Sequence, residues 1–188
     1  MRTRMILISI AGAALVGCNP YVAAVSVVSQ TYGVATDERS ISTQAADADI
    51  EAQVKAALIQ SPVQGTGGLR VYSRRGVVLL CGVVPPGSAA GRAAVQIARG
   101  IAGVKRVETF FVASEPSETA DIEIEAKVKA AFVADPNLSA DQVTVNVFGG
   151  HVVLVGIVNT PDQIDEFVSD ARSVSGVVSV RSYIQLAG

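Results

Sequence analysis

Tryptophan is absent from this chain of 188 residues, histidine occurs once and cysteine twice, and the aromatic residues amount to five Phe and four Tyr. Each scarcity excludes something. Hydrolytic and metal chemistry needs convergent His, Cys or carboxylate groups, and no triad can be assembled around His151, which follows a pair of glycines. Glu123 and Glu125 fall on different sides of one helix and read as solubilising residues, not as a catalytic pair. No lysine follows the loop Gly65-Thr66-Gly67-Gly68 at phosphate-loop spacing. The expectation is therefore a protein without catalytic residues, metal site or bound cofactor. Charged residues make up only 17% and the net charge is −2, the wrong balance for a nucleic-acid partner. With 49% hydrophobic residues the chain is no disordered polymer, and with so few rings its core must be aliphatic.

What is present begins at the N-terminus. Arg2 and Arg4 precede the apolar run from Met5 to Val16, which is too short to span a bilayer. Leu15-Val16-Gly17-Cys18 resembles a bacterial lipobox. Residues 1–17 are then expected to be a signal peptide, with Cys18 carrying a diacylglycerol and an acyl chain such as palmitate. Such chains contribute about 0.8 kcal/mol per buried CH₂, so two or more make a stable anchor without a transmembrane helix. By resemblance to bacterial lipoproteins, Asn19 after the cysteine implies sorting to the outer membrane. Residues 18–46 read as a tether, uncharged up to Thr36 and then polar and turn-rich. Cys81 is left without a partner, so no disulfide framework is expected and the thiol reads as buried and inert.

The rest of the chain is written twice. "GVVLLCGVV" at residues 76–84 returns as "GHVVLVGIV" at 150–158, 74 positions later. The same shift lays Ile50, Val54, Ala57 and Leu58 on Ile124, Val128, Ala131 and Phe132, the apolar stripe of an amphipathic helix. Pro62 and Pro136 stop these helices. Leu69, Val71 and Ser73 fall on Val143, Val145 and Val147, the alternation of a half-buried strand. Arg75-Gly76 and Gly149-Gly150 make tight hairpin turns, and the near-continuous apolar phrase after each reads as a central strand. Pro85-Pro86 and Thr160-Pro161 signal second helices, expected from about Ser88 to Arg99 and from Pro161 to Arg172. Gly103-Val104 and Gly176-Val177 lead into a last strand. A helical crossover between the second and third strands predicts a parallel, right-handed pairing, with both helices on one sheet face. Units of about 65 residues are marginal alone, so packing of the two against each other is expected.

This order, with the glycine-flanked phrase and the Gly-Val that closes the second helix, resembles the BON domain. The resemblance covers residues 47–112 and 119–186. It implies an α+β fold of two tandem domains, each α-β-β-α-β with a three-stranded mixed sheet covered on one face by two helices. With the lipobox it is similar to outer-membrane lipoproteins carrying two such domains. That implies a non-enzymatic, lipid-anchored protein facing the periplasm, which supports envelope integrity and contacts anionic phospholipid through its second domain.

Two sets of residues are candidates for that contact. Ile122, Ala126, Lys129 and Val133 form a second, weakly apolar stripe on the first helix of the second domain, while Glu123 stands where the resemblance implies a large aromatic. The stripe fits a bilayer surface, the first domain, or plain solvent. Arg74, Arg75, Lys105 and Arg106 are candidates for a basic patch, because residues 47–112 hold eight Lys/Arg against four Asp/Glu while residues 113–188 hold four against eleven. The alternatives here are attraction between the two halves or solvated turns. An adaptor for outer-membrane assembly or peptidoglycan-remodelling proteins is the competing function, and a structural spacer the third.

Overall fold

The computed structural model describes residues 40–113 and 117–187. Cys18, the signal peptide and most of the expected tether lie outside the described residues. The first repeat comprises α1 (Ile41–Gln60), β1 (Arg70–Arg74), β2 (Val77–Val83), α2 (Ala89–Arg99) and β3 (Arg106–Val112). The second comprises α3 (Glu118–Ala134), a single 3₁₀ turn (Ala140–Gln142), β4 (Val143–Phe148), β5 (His151–Val158), α4 (Pro161–Ser173) and β6 (Ser179–Leu186). In each repeat the central strand pairs antiparallel with its hairpin partner and parallel with the strand that follows the crossover helix.

One boundary differs from the sequence reading. The tether was expected to run to residue 46, yet α1 starts at Ile41, capped by the Ser40 hydroxyl, which accepts from the Thr43 amide at 3.3 Å. Ala45, Ala46 and Ala48 are strong helix formers and extend the helix beyond its apolar stripe. Helix α2, expected from about Ser88 to Arg99 after the Pro85-Pro86 signal, runs from Ala89 to Arg99 with Ser88 as its cap. Thr160 behaves as read, with a complete capping box to Gln163 and Pro161 in the first turn.

Both repeats belong to one compact unit. Ile50, Val54 and Leu58 of α1 pack with Ala94 and Ala98 of α2 over Val78 and Leu80. Ile124, Val128 and Phe132 of α3 pack with Phe167 and Ala171 of α4 over Val152, Leu154 and Val158. The alternate residues of the central strands point the other way. Leu79 and Cys81 meet Val153, Val155 and Phe148, forming a third core between the two sheets. The layers therefore run helices, sheet, sheet, helices. This explains the uninterrupted apolar phrases, since β2 and β5 are covered on both faces. It also explains how two small domains become stable: each buried Val or Leu is worth about 1.5–3 kcal/mol, and each sheet covers the other's open face.

The strands of the two sheets cross. Tyr183 of β6 donates its hydroxyl to the carbonyl of Thr109 in β3 at 3.1 Å. Two residues on, Gln185 donates to the Arg74 carbonyl at the end of β1 at 3.3 Å. A single strand thus reaches both edges of the opposite sheet. Near the other end, Arg70 and Tyr72 of β1 both donate to Oδ1 of the fully buried Asn146, Tyr72 at 2.8 Å. The Arg70 guanidinium lies over the Phe148 ring, 5.5 Å from its centre.

Candidate functional site

Helix α3 is held to its sheet by Ile124, Val128 and Phe132, spaced one turn apart and buried. That spacing turns Ile122, Ala126, Lys129 and Val133 to the outside of the sandwich. Ile122 is 62% exposed and Val133 74% exposed, with Ala126 and Ala130 exposed between them. The first domain does not cover this stripe. Its charged neighbours are paired along the helix, Lys127 with Glu123 at 2.7 Å and Lys129 with Glu125 at 2.6 Å. The Lys127 hydrogen bond and charge hold the Glu123 carboxyl below its usual range.

The basic residues are divided. Arg74 is half-buried, pairs with Glu51 at 3.0 Å and donates to its neighbour's carbonyl. Arg75 sits in the turn at a φ of 55° and donates across the sandwich to the carbonyl of Leu186 at 2.8 Å. Lys105 and Arg106 are exposed, and Arg106 pairs with Glu108. The hairpin end gathers all four residues, but two guanidiniums are turned inward to hold the fold.

Sequence reasoning missed the two carboxylates that organise both hairpins. Asp47 of α1 accepts from the amides of Arg75 (2.7 Å) and Gly76 (2.9 Å) and from the Ser73 hydroxyl (2.7 Å). Asp121 of α3 accepts from the amides of Gly149 (2.7 Å) and Gly150 (2.9 Å). Both are buried, and their charge is met by backbone donors. The signal was available, because the two aspartates share the shift that relates the glycines. Gly76 and Gly150 are required on two counts. Both have positive φ, and a Cβ on either would come within 2.7 or 2.8 Å of the Gly103 or Gly176 carbonyl.

Cys81 and His151 are set apart from both sets of candidates. Burial pushes the Cys81 thiol up to about 12, so it stays protonated between the sheets. His151 is half-buried at the start of β5 with Nδ1 2.8 Å from the Ser179 hydroxyl. Among the described residues, no three His, Cys, Asp or Glu side chains come together to hold a metal ion. Among them too, no helix is long and apolar enough to cross a membrane.

With this geometry in view, comparison with known proteins is direct. The BON domain model matches residues 46–113 and 120–188. Osmotically-inducible protein Y of Escherichia coli is 31% identical over 142 residues, covering 72% of this chain and 70% of that protein. The outer membrane lipoprotein DolP of Haemophilus influenzae is 32% identical over 152 residues, covering 78% of each. Two solved structures of CdsD, a structural protein of the Chlamydia trachomatis type III secretion system, each cover 74% of this chain at 15% identity. The chain spans 62% and 66% of those solved chains, and TM-scores of 0.30 and 0.31 are too low to equate the folds. The two matched segments coincide with the two halves of the sandwich, and the chain belongs to the BON domain family, with two copies in tandem.

Proposed function

We propose that this protein is an outer-membrane lipoprotein, anchored through an acylated Cys18 and facing the periplasm. In this reading it supports envelope integrity by binding, not by catalysis, and its second domain touches anionic phospholipid through the outward face of α3. The likeness to the Haemophilus influenzae lipoprotein supports the location. The observation that carries the contact is the open stripe of Ile122, Ala126, Lys129 and Val133, with Ala130 beside it, a weakly apolar patch on a surface helix that none of the described residues covers. Seating Ile122 and Val133 in the boundary between headgroups and acyl chains is worth up to about 1.5–3 kcal/mol each. Lys129 within the stripe and Lys127 beside it add about 1 kcal/mol each near an anionic surface, reduced here by their paired glutamates. So weak a contact is enough for a tethered protein, because an anchor raises the effective concentration at the membrane.

The test is flotation of the compact unit, residues 33–188, with vesicles of phosphatidylglycerol or phosphatidylcholine. Binding to the anionic vesicles, weakened by salt and lost in the double variant I122D/V133D, is the expected result. Equal binding by that variant, or none by the parent, overturns the lipid contact and leaves the anchored adaptor for envelope-assembly or peptidoglycan-remodelling proteins as the function.

A further inference from the structure

We propose that the outer edge of β3 is a docking site for an extended, acidic segment of a partner protein, which adds to the first sheet as a further strand. The site lies on the rim of the sandwich, away from the α3 stripe, and does not depend on lipid binding.

The first observation is the open edge. In the strand order β1-β2-β3, one side of β3 has no strand beside it among the described residues. The Tyr183 hydroxyl reaches the Thr109 carbonyl from the second domain, so that carbonyl points away from β2. Because N–H and C=O of one residue point the same way and alternate along a strand, Val107, Thr109 and Phe111 turn their backbone groups outward, and an incoming strand would take the Thr109 carbonyl from the Tyr183 hydroxyl. A row of such groups is a template for strand addition.

The second observation is a cleft of about 850 Å³ beside this edge, walled by α2, β3 and β6. On the α2 side its wall is made by Gly91, Arg92, Val95 and Gln96. Gly91 and Ala94 of α2 occupy the places that Ile164 and Phe167 take in α4, as judged from the buried pairs Ala94, Ala98 and Phe167, Ala171. The ring of Phe111 lies against Gly91, so close that a Cβ there would stand 3.3 Å from it.

The third observation is charge. Arg92 of α2 and Arg181 of β6 stand on the cleft walls. Arg92 donates to the Gly87 carbonyl, and neither guanidinium forms an ion pair among the described residues. The acid on the walls, Glu108, is already paired with Arg106. The excess positive charge selects an acidic segment, and Phe110 and Phe111 favour apolar side chains in alternation with the acids. A lipid chain fits less well, because it would leave the strand's outward donors and acceptors unsatisfied.

The test uses the full chain in neutral detergent and an eight-residue peptide of alternating Glu and Val, blocked at both ends. Binding is read by fluorescence anisotropy, and hydrogen exchange over residues 106–112 by mass spectrometry. The expected result is binding with slowed exchange in that segment. The affinity should fall roughly tenfold in R92E/R181E, whose side chains are exposed and whose fold is checked by circular dichroism. A Lys-Val peptide should bind weakly, and an Glu-Val peptide N-methylated at alternate residues should not bind. Equal affinity for the Lys-Val peptide, unchanged exchange at 106–112, or protection there by phosphatidylglycerol micelles and not by the peptide would each overturn the proposal.

Discussion

The two repeats share a topology and differ inside. The second fills the space between its helices and sheet with Phe132 and Phe167, whose rings meet edge to face with centres 4.7 Å apart. At the matching places the first has Leu58 and Ala94, equally buried. Neither change disturbs the frame, because the aspartate, the two-residue turn and the close glycine contact recur in both. The comparison teaches that this frame tolerates a large change in core volume. The first repeat, with the smaller core residues, also contributes α2 and β3 to a cleft that β6 completes.

The sharpest way to break the comparison is Phe167→Ala. Losing the ring and leaving a cavity should cost about 3–5 kcal/mol in urea denaturation. A loss below about 1 kcal/mol would mean that the ring pair does not hold the second core.

Next comes the hairpin frame. Both aspartates accept from two turn amides, and Asp47 accepts from the Ser73 hydroxyl as well, where the second repeat has Val147. Asp47→Ala should therefore cost about 3 kcal/mol and Asp121→Ala about 1 kcal/mol less, each leaving buried amides unpaired. Equal losses would show that the Ser73 hydroxyl adds nothing.

Cys81 against Val155, its counterpart in β5, gives a pH comparison. The folded thiol is held at about 12, above the ordinary 9.0, so the folded state favours the protonated form. Its contribution is complete below about pH 9 and is lost as pH rises from there towards 12. Denaturation midpoints of the parent and Cys81→Val should run parallel up to about pH 9 and then diverge, with the parent falling faster. Parallel curves throughout would place the thiol in contact with solvent.

The smallest effect is expected at the turns. Arg75 holds a φ of 55° where the second repeat has Gly149 at 62°. Arg75→Gly should relieve backbone strain and raise stability by about 0.5 kcal/mol. A loss instead would show that the guanidinium bond to the Leu186 carbonyl outweighs the strain.

Much of the frame was legible before any coordinates. The Val-rich phrases, the turn pairs and the Thr160-Pro161 start are local signals, and their repetition doubled each of them. The start of α1 was not, because residues 41–46 show no apolar stripe and their helix is extended by a cap and alanine propensity. Asp47 and Asp121 were not singled out, since what a carboxylate does depends on the amides that close on it. The four basic residues were grouped by charge alone, and the pairing of Val77 with Arg106 is what brings them to one hairpin end. Nothing in their spacing reveals that Arg74 turns to Glu51 and Arg75 to β6.

The sequence by itself determined the order of elements, the two hairpin turns and the division of α3 into two faces, because each follows from periodicity or from the conformational needs of a few neighbouring residues. Only the tertiary structure decided that the sheets pack on each other while the outer face of α3 stays open, and that β3 keeps a free edge beside a cleft. A helical or strand period states that an element has two faces, but which face is covered depends on residues far away in the chain.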